Sequence, residues 1–299
     1  MAGAQNLYSE STRPKRDGGV RIIESPQPVL REVQRDILRT LQKVQISPAA
    51  HGGVKGRSIV TNAMVHREAR SLYSVDIQDA FGHAFFPLER GEIGIGRISD
   101  YTLFLDLVER RVSRPDTSIW RLPHLRRYLP QGAPTSSYVF DLFLDRLGID
   151  RDLLALAERS GCRYSRYVDN IFFSSQEPRI DHSLRQAVNR ILREKRWIIM
   201  RFPMKSTSVR LELNPEKTYY VANGNRPGVP LRLTGLNIID GELRLRPEMI
   251  DRYRIALFCA LRSGNHDEAN GIIGYCRQVY GVLPHRLQAV VDRYNLDST

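Results

Sequence analysis

Tyr164-Ser-Arg-Tyr-Val168-Asp169-Asn170-Ile171-Phe-Phe-Ser174 holds two short, largely apolar runs, Tyr164 to Val168 and Ile171 to Ser174, parted by an adjacent Asp and Asn. Runs of this length around a polar pair predict a tight antiparallel hairpin whose tip presents Asp169. Upstream, Leu72 to Ile77 alternates in polarity and carries carboxylates at its end, which predicts a strand delivering Asp76 and Asp79 to its C-terminal edge. Between these two lies Leu129-Pro-Gln-Gly-Ala-Pro-Thr-Ser136. There Gly132 permits a close backbone approach to a ligand, Gln131 offers an amide, and a helix begins just beyond.

Outward from these segments the chain reads as an α+β body. After the breaker run Ser25-Pro26-Gln27-Pro28, Leu30, Val33, Ile37, Leu38, Leu41 and Val44 recur at helical spacing with Arg31, Arg35 and Arg39 opposite, an amphipathic helix with a basic outer side. Helices are expected at Asp100 to Val112, Thr135 to Leu147, Asp152 to Ser160 and Leu184 to Trp197, and strands near Thr218 to Val221, Leu231 to Ile239 and Glu242 to Arg246. The end of the chain reads as three helices, Pro247 to Leu261, His266 to Tyr280 and Pro284 to Tyr294, with Pro247 suited to a first turn. No internal repeat interrupts this order: a small antiparallel sheet with packed helices, then an arginine-rich helical module.

With 41% hydrophobic and 8% aromatic residues, the 299-residue chain has enough apolar surface for a substantial core, and only the polar start, Met1 to about Arg16, reads as loosely held. Forty-five Lys plus Arg against thirty-three Asp plus Glu give +12, a balance that favours a polyanionic partner such as nucleic acid. Cys162, Cys259 and Cys276 are too few and too scattered for a zinc cluster or a disulfide framework; they read as ordinary buried thiols in a reducing cytoplasm. No apolar run reaches the roughly 20 residues that span a bilayer, and the N-terminus lacks a signal-peptide core.

Two carboxylates brought from a strand end and a hairpin tip suit nucleotidyl transfer, which needs two hard divalent cations about 4 Å apart. One cation lowers the pKa of the attacking hydroxyl and the other neutralises the leaving pyrophosphate. Taken singly, an Asp at a turn is more often a cap or a solvated loop residue. The aspartate strand, the Pro-Gln-Gly segment and the Tyr167-Val-Asp-Asn170 hairpin in this order resemble the reverse transcriptase family, from about Arg13 to beyond Gly235. The resemblance implies a right-hand polymerase, with an N-terminal segment and fingers over residues 1–70, a palm with inserted fingers helices over 71–240 and a helical thumb over 241–299.

It also implies roles. Asp76, Ile77 and Asp169 would hold two Mg2+ ions, or Mn2+, with Asn170 and Lys217 joining them in catalysis. Lys217, in Asn214-Pro-Glu-Lys-Thr218, matches a lysine that donates a proton to pyrophosphate; otherwise it is an exposed lysine. Lys15-Arg-Asp-Gly-Gly-Val-Arg21 looks like the fingers hairpin that clamps the incoming triphosphate, through Arg21 with Lys15 or Arg16; otherwise it is a basic surface hairpin. Phe81 matches the aromatic that excludes a ribose 2′-hydroxyl, or is a core ring, and Gln131 and Gly132 would complete the substrate site.

Two features are similar to retron reverse transcriptases in particular: Asn62-Ala-Met-Val-His66, and Leu233-Thr-Gly235 where Val-Thr-Gly is usual. That likeness implies a structured non-coding RNA as template and primer, bound partly through Asn62, His66, Arg252, Arg254, Arg262, Arg277 and Arg286. It further implies a multicopy single-stranded DNA product, an effector protein encoded nearby and a role in anti-phage defence. No maturase or endonuclease region follows the thumb within the 299 residues, which disfavours an intron enzyme. Two departures stand out: Asn170 replaces a second aspartate, and Ser137 replaces a proline. A charge pair near 4 Å is worth roughly 4 kcal/mol at intermediate dielectric, so the loss of the second carboxylate bears on metal binding. In the family the first hairpin aspartate carries more of the metal binding than the second, and an active enzyme is expected.

Overall fold

The computed structural model describes residues 7–14, 19–84, 101–111, 127–194 and 211–297. A hairpin of β1 (Tyr8–Pro14) and β2 (Val20–Pro26) leads into α1 (Pro28–Leu41) and the short α2 (Ile59–Met64). Strand β3 (Ser71–Asp76) precedes α3 (Ala80–His83), α4 (Tyr101–Val108) and the small pair β4 (Arg110–Arg111) and β5 (Arg127–Tyr128). Helices α5 (Ser136–Arg146) and α6 (Ile149–Arg159) then feed the hairpin of β6 (Arg163–Tyr167) and β7 (Asn170–Ser175), followed by α7 (His182–Glu194) and β8 (Tyr219–Val221). A second sheet of β9 (Leu231–Leu233), β10 (Leu236–Ile239) and β11 (Glu242–Leu245) introduces α8 (Pro247–Arg262), α9 (His266–Tyr280) and α10 (His285–Asp297). The architecture is α+β, as the sequence predicts.

The principal sheet has the order β6-β7-β3-β8, antiparallel throughout, and all six residues of β3 are buried. Alternation along its strands builds two cores. Tyr73, Val75 and Ile77 with Ile171 and Phe173 face α5, α6 and α7 through Phe140, Phe143, Leu153, Val188 and Leu192. Leu72 and Phe172, on the other face, join Val60 and Ala63 of α2, the leucines of the second sheet, and Leu257, Ile272 and Leu287 of the C-terminal helices. The aspartate strand is thus clamped between two hydrophobic masses, which fixes where its last residue points.

Several expectations are corrected. Leu231 to Ile239 is two strands, not one: Thr234 and Gly235 both take positive φ, 43° and 93°, and turn the chain so that Leu233 pairs with Leu236. The Leu-Thr-Gly segment is therefore a hairpin turn. In α1, Val33 stays exposed and Gln34 is buried, donating to the Leu107 carbonyl at 2.8 Å and the Tyr8 hydroxyl at 2.7 Å. The outer side of α1 is not simply basic, because Arg35 and Arg39 pair with Glu32 and Asp36. Helix α4 stops at Val108, and α2 lies where no helix is expected. Of the three thiols Cys276 is buried, Cys162 half-buried and Cys259 exposed. No helix among the described residues is long and apolar enough to cross a membrane.

Candidate active site

Asp76 ends β3 and is the cross-strand partner of Asn170, while the Ile77 amide donates to the Asp169 carbonyl at 2.9 Å. Two residues 93 positions apart in the sequence are thereby held side by side. Asp76 is 4% exposed. Burial, then the neighbouring Asp76 carboxylate, pushes the Asp169 carboxyl up to about 6, against the pull of Lys217 and Arg21. Lys217, raised on a short helical turn capped by the Asn214 side chain, donates from Nζ to Asp76 Oδ1 at 3.0 Å. Asn170 Nδ2 donates to Asp169 Oδ1 at 2.8 Å. The arrangement is two crowded carboxylates, one ammonium and one amide. No cluster of three His, Cys, Asp or Glu that could hold a metal occurs among the described residues.

The tip that carries Asp169 is strained and over-determined. Val168 has φ 55°, a left-handed conformation that is an outlier for a β-branched side chain. Three contacts hold it there. Arg166, fully buried, donates from Nη1 to the Val168 carbonyl at 2.9 Å. The segment Ala49 to Gly53 runs beside β6, with Arg166 N donating to the Ala49 carbonyl and His51 N donating to the Arg166 carbonyl, both at 2.8 Å. Gly52 crosses Val168 so closely that a Cβ on it would lie 2.6 Å from the Val168 nitrogen, so only glycine fits.

Arg166 is itself anchored by Asp150 of α6, at 3.0 and 2.8 Å in a bidentate pair, and by Asp141 of α5 at 2.5 Å. Tyr164 donates to the same Asp150 at 2.6 Å. Burial raises the Asp141 carboxyl to about 7 although Arg166 pulls it down. Sequence reasoning does not find this network, because an arginine in a strand beside a polar tip reads as exposed. The available signal is an arginine two residues before the strained valine together with Asp141 in the apolar run of α5 and Asp150 in the first turn of α6.

Asn62 and His66 are not surface residues. Both are fully buried, which corrects the expectation that they touch RNA. Ser165 Oγ donates to Asn62 Oδ1 at 2.7 Å, so it accepts from His66 Nε2 at 2.7 Å, and His66 Nδ1 accepts from Ser174 Oγ at 2.6 Å. The motif is a clasp from α2 and the turn after it onto both strands of the hairpin that carries Asp169. Burial, with the charges of His51 and Arg163, lowers the His66 pKa to about 3 and keeps the ring neutral.

Gly132, at φ +119°, does make a close approach, but to protein: a Cβ there would lie 3.0 Å from the Glu24 carbonyl and 3.1 Å from the Ile23 side chain of β2. Glu24 N donates to the Gln131 carbonyl at 2.6 Å, and the Glu24 carboxylate takes the Tyr128 hydroxyl at 2.8 Å and pairs with Arg110. The Pro-Gln-Gly segment therefore docks the N-terminal hairpin, while the Gln131 side chain is half-buried. Arg21 on that hairpin is exposed and lies close enough to pull on Asp169. Lys15 and Arg16 lie outside the described residues. Phe81 is half-buried and packs on Phe140 with ring centroids 5.6 Å apart.

Arg252, Arg254, Arg262 and Arg277 are exposed on α8 and α9, and Arg286 sits 3.7 Å from Asp251. A basic row absent from the sequence-based candidates crosses the outer face of the second sheet, where Arg232 and Arg244 flank Asn237 in register. The alternation Leu231-Arg-Leu233 and Leu243-Arg-Leu245 is the signal for it.

A strand-end aspartate, a hairpin-tip aspartate and an ammonium on one small antiparallel sheet define the class of protein, a nucleic-acid polymerase fold. Residues 13–231 match the model of the family described as reverse transcriptase (RNA-dependent DNA polymerase), and the chain belongs to that family. It is 33% identical over 238 residues to the retron Mx162 reverse transcriptase of Myxococcus xanthus, covering 77% of this chain and 46% of the relative. With the retron Mx65 reverse transcriptase of the same organism it shares 32% identity over 284 residues, 92% of this chain and 62% of the relative. The retron Ec83 reverse transcriptase of Escherichia coli is 25% identical over 293 residues, 92% of this chain and 84% of the relative. The chain thus spans about half to three-fifths of the length of the Myxococcus relatives.

Proposed function

We propose that the protein is an RNA-directed DNA polymerase that copies a cognate structured non-coding RNA, serving as template and primer, into multicopy single-stranded DNA. The observation that carries this reading is the convergence of Asp76 and Asp169 beside Lys217, in a chain of the reverse transcriptase family. The donor set suits a hard divalent cation: carboxylate oxygens crowd together, and their mutual repulsion is relieved by positive charge. Asp76, Asp169 and the Ile77 main chain would hold two Mg2+ ions, or Mn2+, which when bound supply hydroxyl activation and charge neutralisation. Lys217 moves from Asp76 to protonate the leaving pyrophosphate, and Arg21, with Lys15, binds the triphosphate. Phe81 fits the sugar edge, next to the segment of Gln131 and Gly132.

Residues 1–70 form the fingers and N-terminal segment, 71–240 the palm and 241–299 the thumb, whose Arg252, Arg254, Arg262 and Arg277 track phosphates of the template-product duplex. The protein acts in the cytoplasm, in anti-phage defence with an effector encoded nearby. Incorporation of labelled deoxynucleotides on the non-coding RNA encoded beside the gene tests the central reading: Asp169→Ala abolishes product, and product that survives that substitution sinks it. One observation, Asn170 in place of a second aspartate, favours an alternative, an RNA-binding scaffold of the same fold. Biological activity unchanged by Asp76→Ala would support the scaffold.

A further inference from the structure

Asn170 sits where the resemblance leads one to expect a second carboxylate, yet its contact is that of a donor. Its Nδ2 lies 2.8 Å from Asp169 Oδ1, and it stands directly opposite Asp76 in the ladder between β3 and β7. Directly opposed residues put their side chains on one face with Cβ atoms about 5 Å apart, so the amide lies beside both carboxylates. Lys217 makes the matching contact on the other side, donating to Asp76 Oδ1. Each aspartate thus accepts from a neighbouring side-chain donor at its Oδ1, the amide of Asn170 for Asp169 and the ammonium of Lys217 for Asp76. An ionised aspartate at 170 could not donate, and would add a third negative charge opposite Asp76.

We infer that Asn170 is a positioning residue, whose amide group orients the Asp169 carboxylate for cation binding, and that the site works with two carboxylates rather than three. The inference rests on the polymerase reading above and deepens it. The usual view of such a replacement is loss of a ligand, in which case restoring the aspartate improves the enzyme. The amide contact implies the reverse.

The test uses the full chain and four proteins: parent, Asn170→Ala, Asn170→Asp and, as a control, Asp169→Ala. Mn2+ binding is followed by electron paramagnetic resonance, and deoxynucleotide incorporation by single-nucleotide extension. Loss of one hydrogen bond to a charged group should weaken Mn2+ binding by Asn170→Ala about tenfold. Asn170→Asp should bind Mn2+ at least as tightly as the parent, yet turn over about tenfold more slowly with KM for the nucleotide within about twofold. Unchanged Mn2+ binding in Asn170→Ala overturns the inference, as does incorporation by Asn170→Asp at or above the parent rate. A parent chain that incorporates nothing overturns the polymerase reading alone, because Mn2+ binding by Asn170→Ala still decides the positioning role.

Discussion

His66 shows at the scale of one residue how a polar group can be fully buried and still contribute to stability. Its two ring nitrogens are matched by Ser174 and Ser165, in a directional chain that ends on Asn62 and leaves no acceptor for a second ring proton except a rotated hydroxyl. The sign of the pH effect follows. The folded ring titrates near 3 and the unfolded one near 6.5, so between those values the unfolded chain binds a proton that the folded chain refuses. Stability from this group is complete above pH 6.5 and is lost as pH falls towards 3. Asp141, raised to about 7, and Asp169, raised to about 6, act in the opposite direction over part of that range, so the effect is best read as a difference. Relative to His66→Gln, the unfolding free energy of the parent should fall below pH 6.5 by up to about 1.4 kcal/mol per pH unit in urea titrations. Parallel profiles would mean that the ring is not held neutral. Asp76 and Asp169 are legible in the sequence because their flanking runs specify a strand end and a turn. The burial of Asn62 and His66 is not, since no periodic run marks their segment and a polar residue there reads as exposed until the strands that cover it are known.

Among elements, the β6–β7 hairpin depends on its neighbours for the shape of its tip. Its turn is unfavourable by itself, and α5 and α6 hold it through Arg166, which pairs with Asp141 and Asp150 and caps the Val168 carbonyl. Removing one member of a buried ionic network leaves its partners uncompensated, typically at about 3–5 kcal/mol. Arg166→Ala is therefore expected to destabilise the protein by roughly that amount in equilibrium unfolding and to abolish the deoxynucleotide incorporation proposed above. A loss below about 1 kcal/mol would show that the tip holds its shape without help. The hairpin itself is legible from its two short runs around a polar pair. The second hairpin, at Leu233-Thr-Gly-Leu236, is not, because threonine is a poor predictor of the left-handed turn it adopts. Gly132 is legible as a point of close approach, but its partner, a β2 carbonyl, is fixed only by tertiary packing.

At the level of the whole molecule the chain carries +12, and α8, α9 and the outer face of the second sheet present exposed arginines to solvent. Affinity for the proposed RNA partner should fall log-linearly with salt, and the slope should shrink by about one for each phosphate-contacting arginine removed. Filter binding of Arg254→Ala, Arg262→Ala and Arg232→Ala across a salt series measures this; slopes identical to the parent would place the RNA elsewhere. The α+β architecture is legible in the order of periodicities, whereas the division of the core into two masses around β3 is not, because it requires knowing which strand lies in the middle. The three thiols of the chain differ in exposure, with Cys259, on α8, exposed, Cys162 half-buried and Cys276 buried. A maleimide dye therefore reacts first at Cys259, which gives the C-terminal helices a fluorescent reporter of their movement with no engineered attachment point.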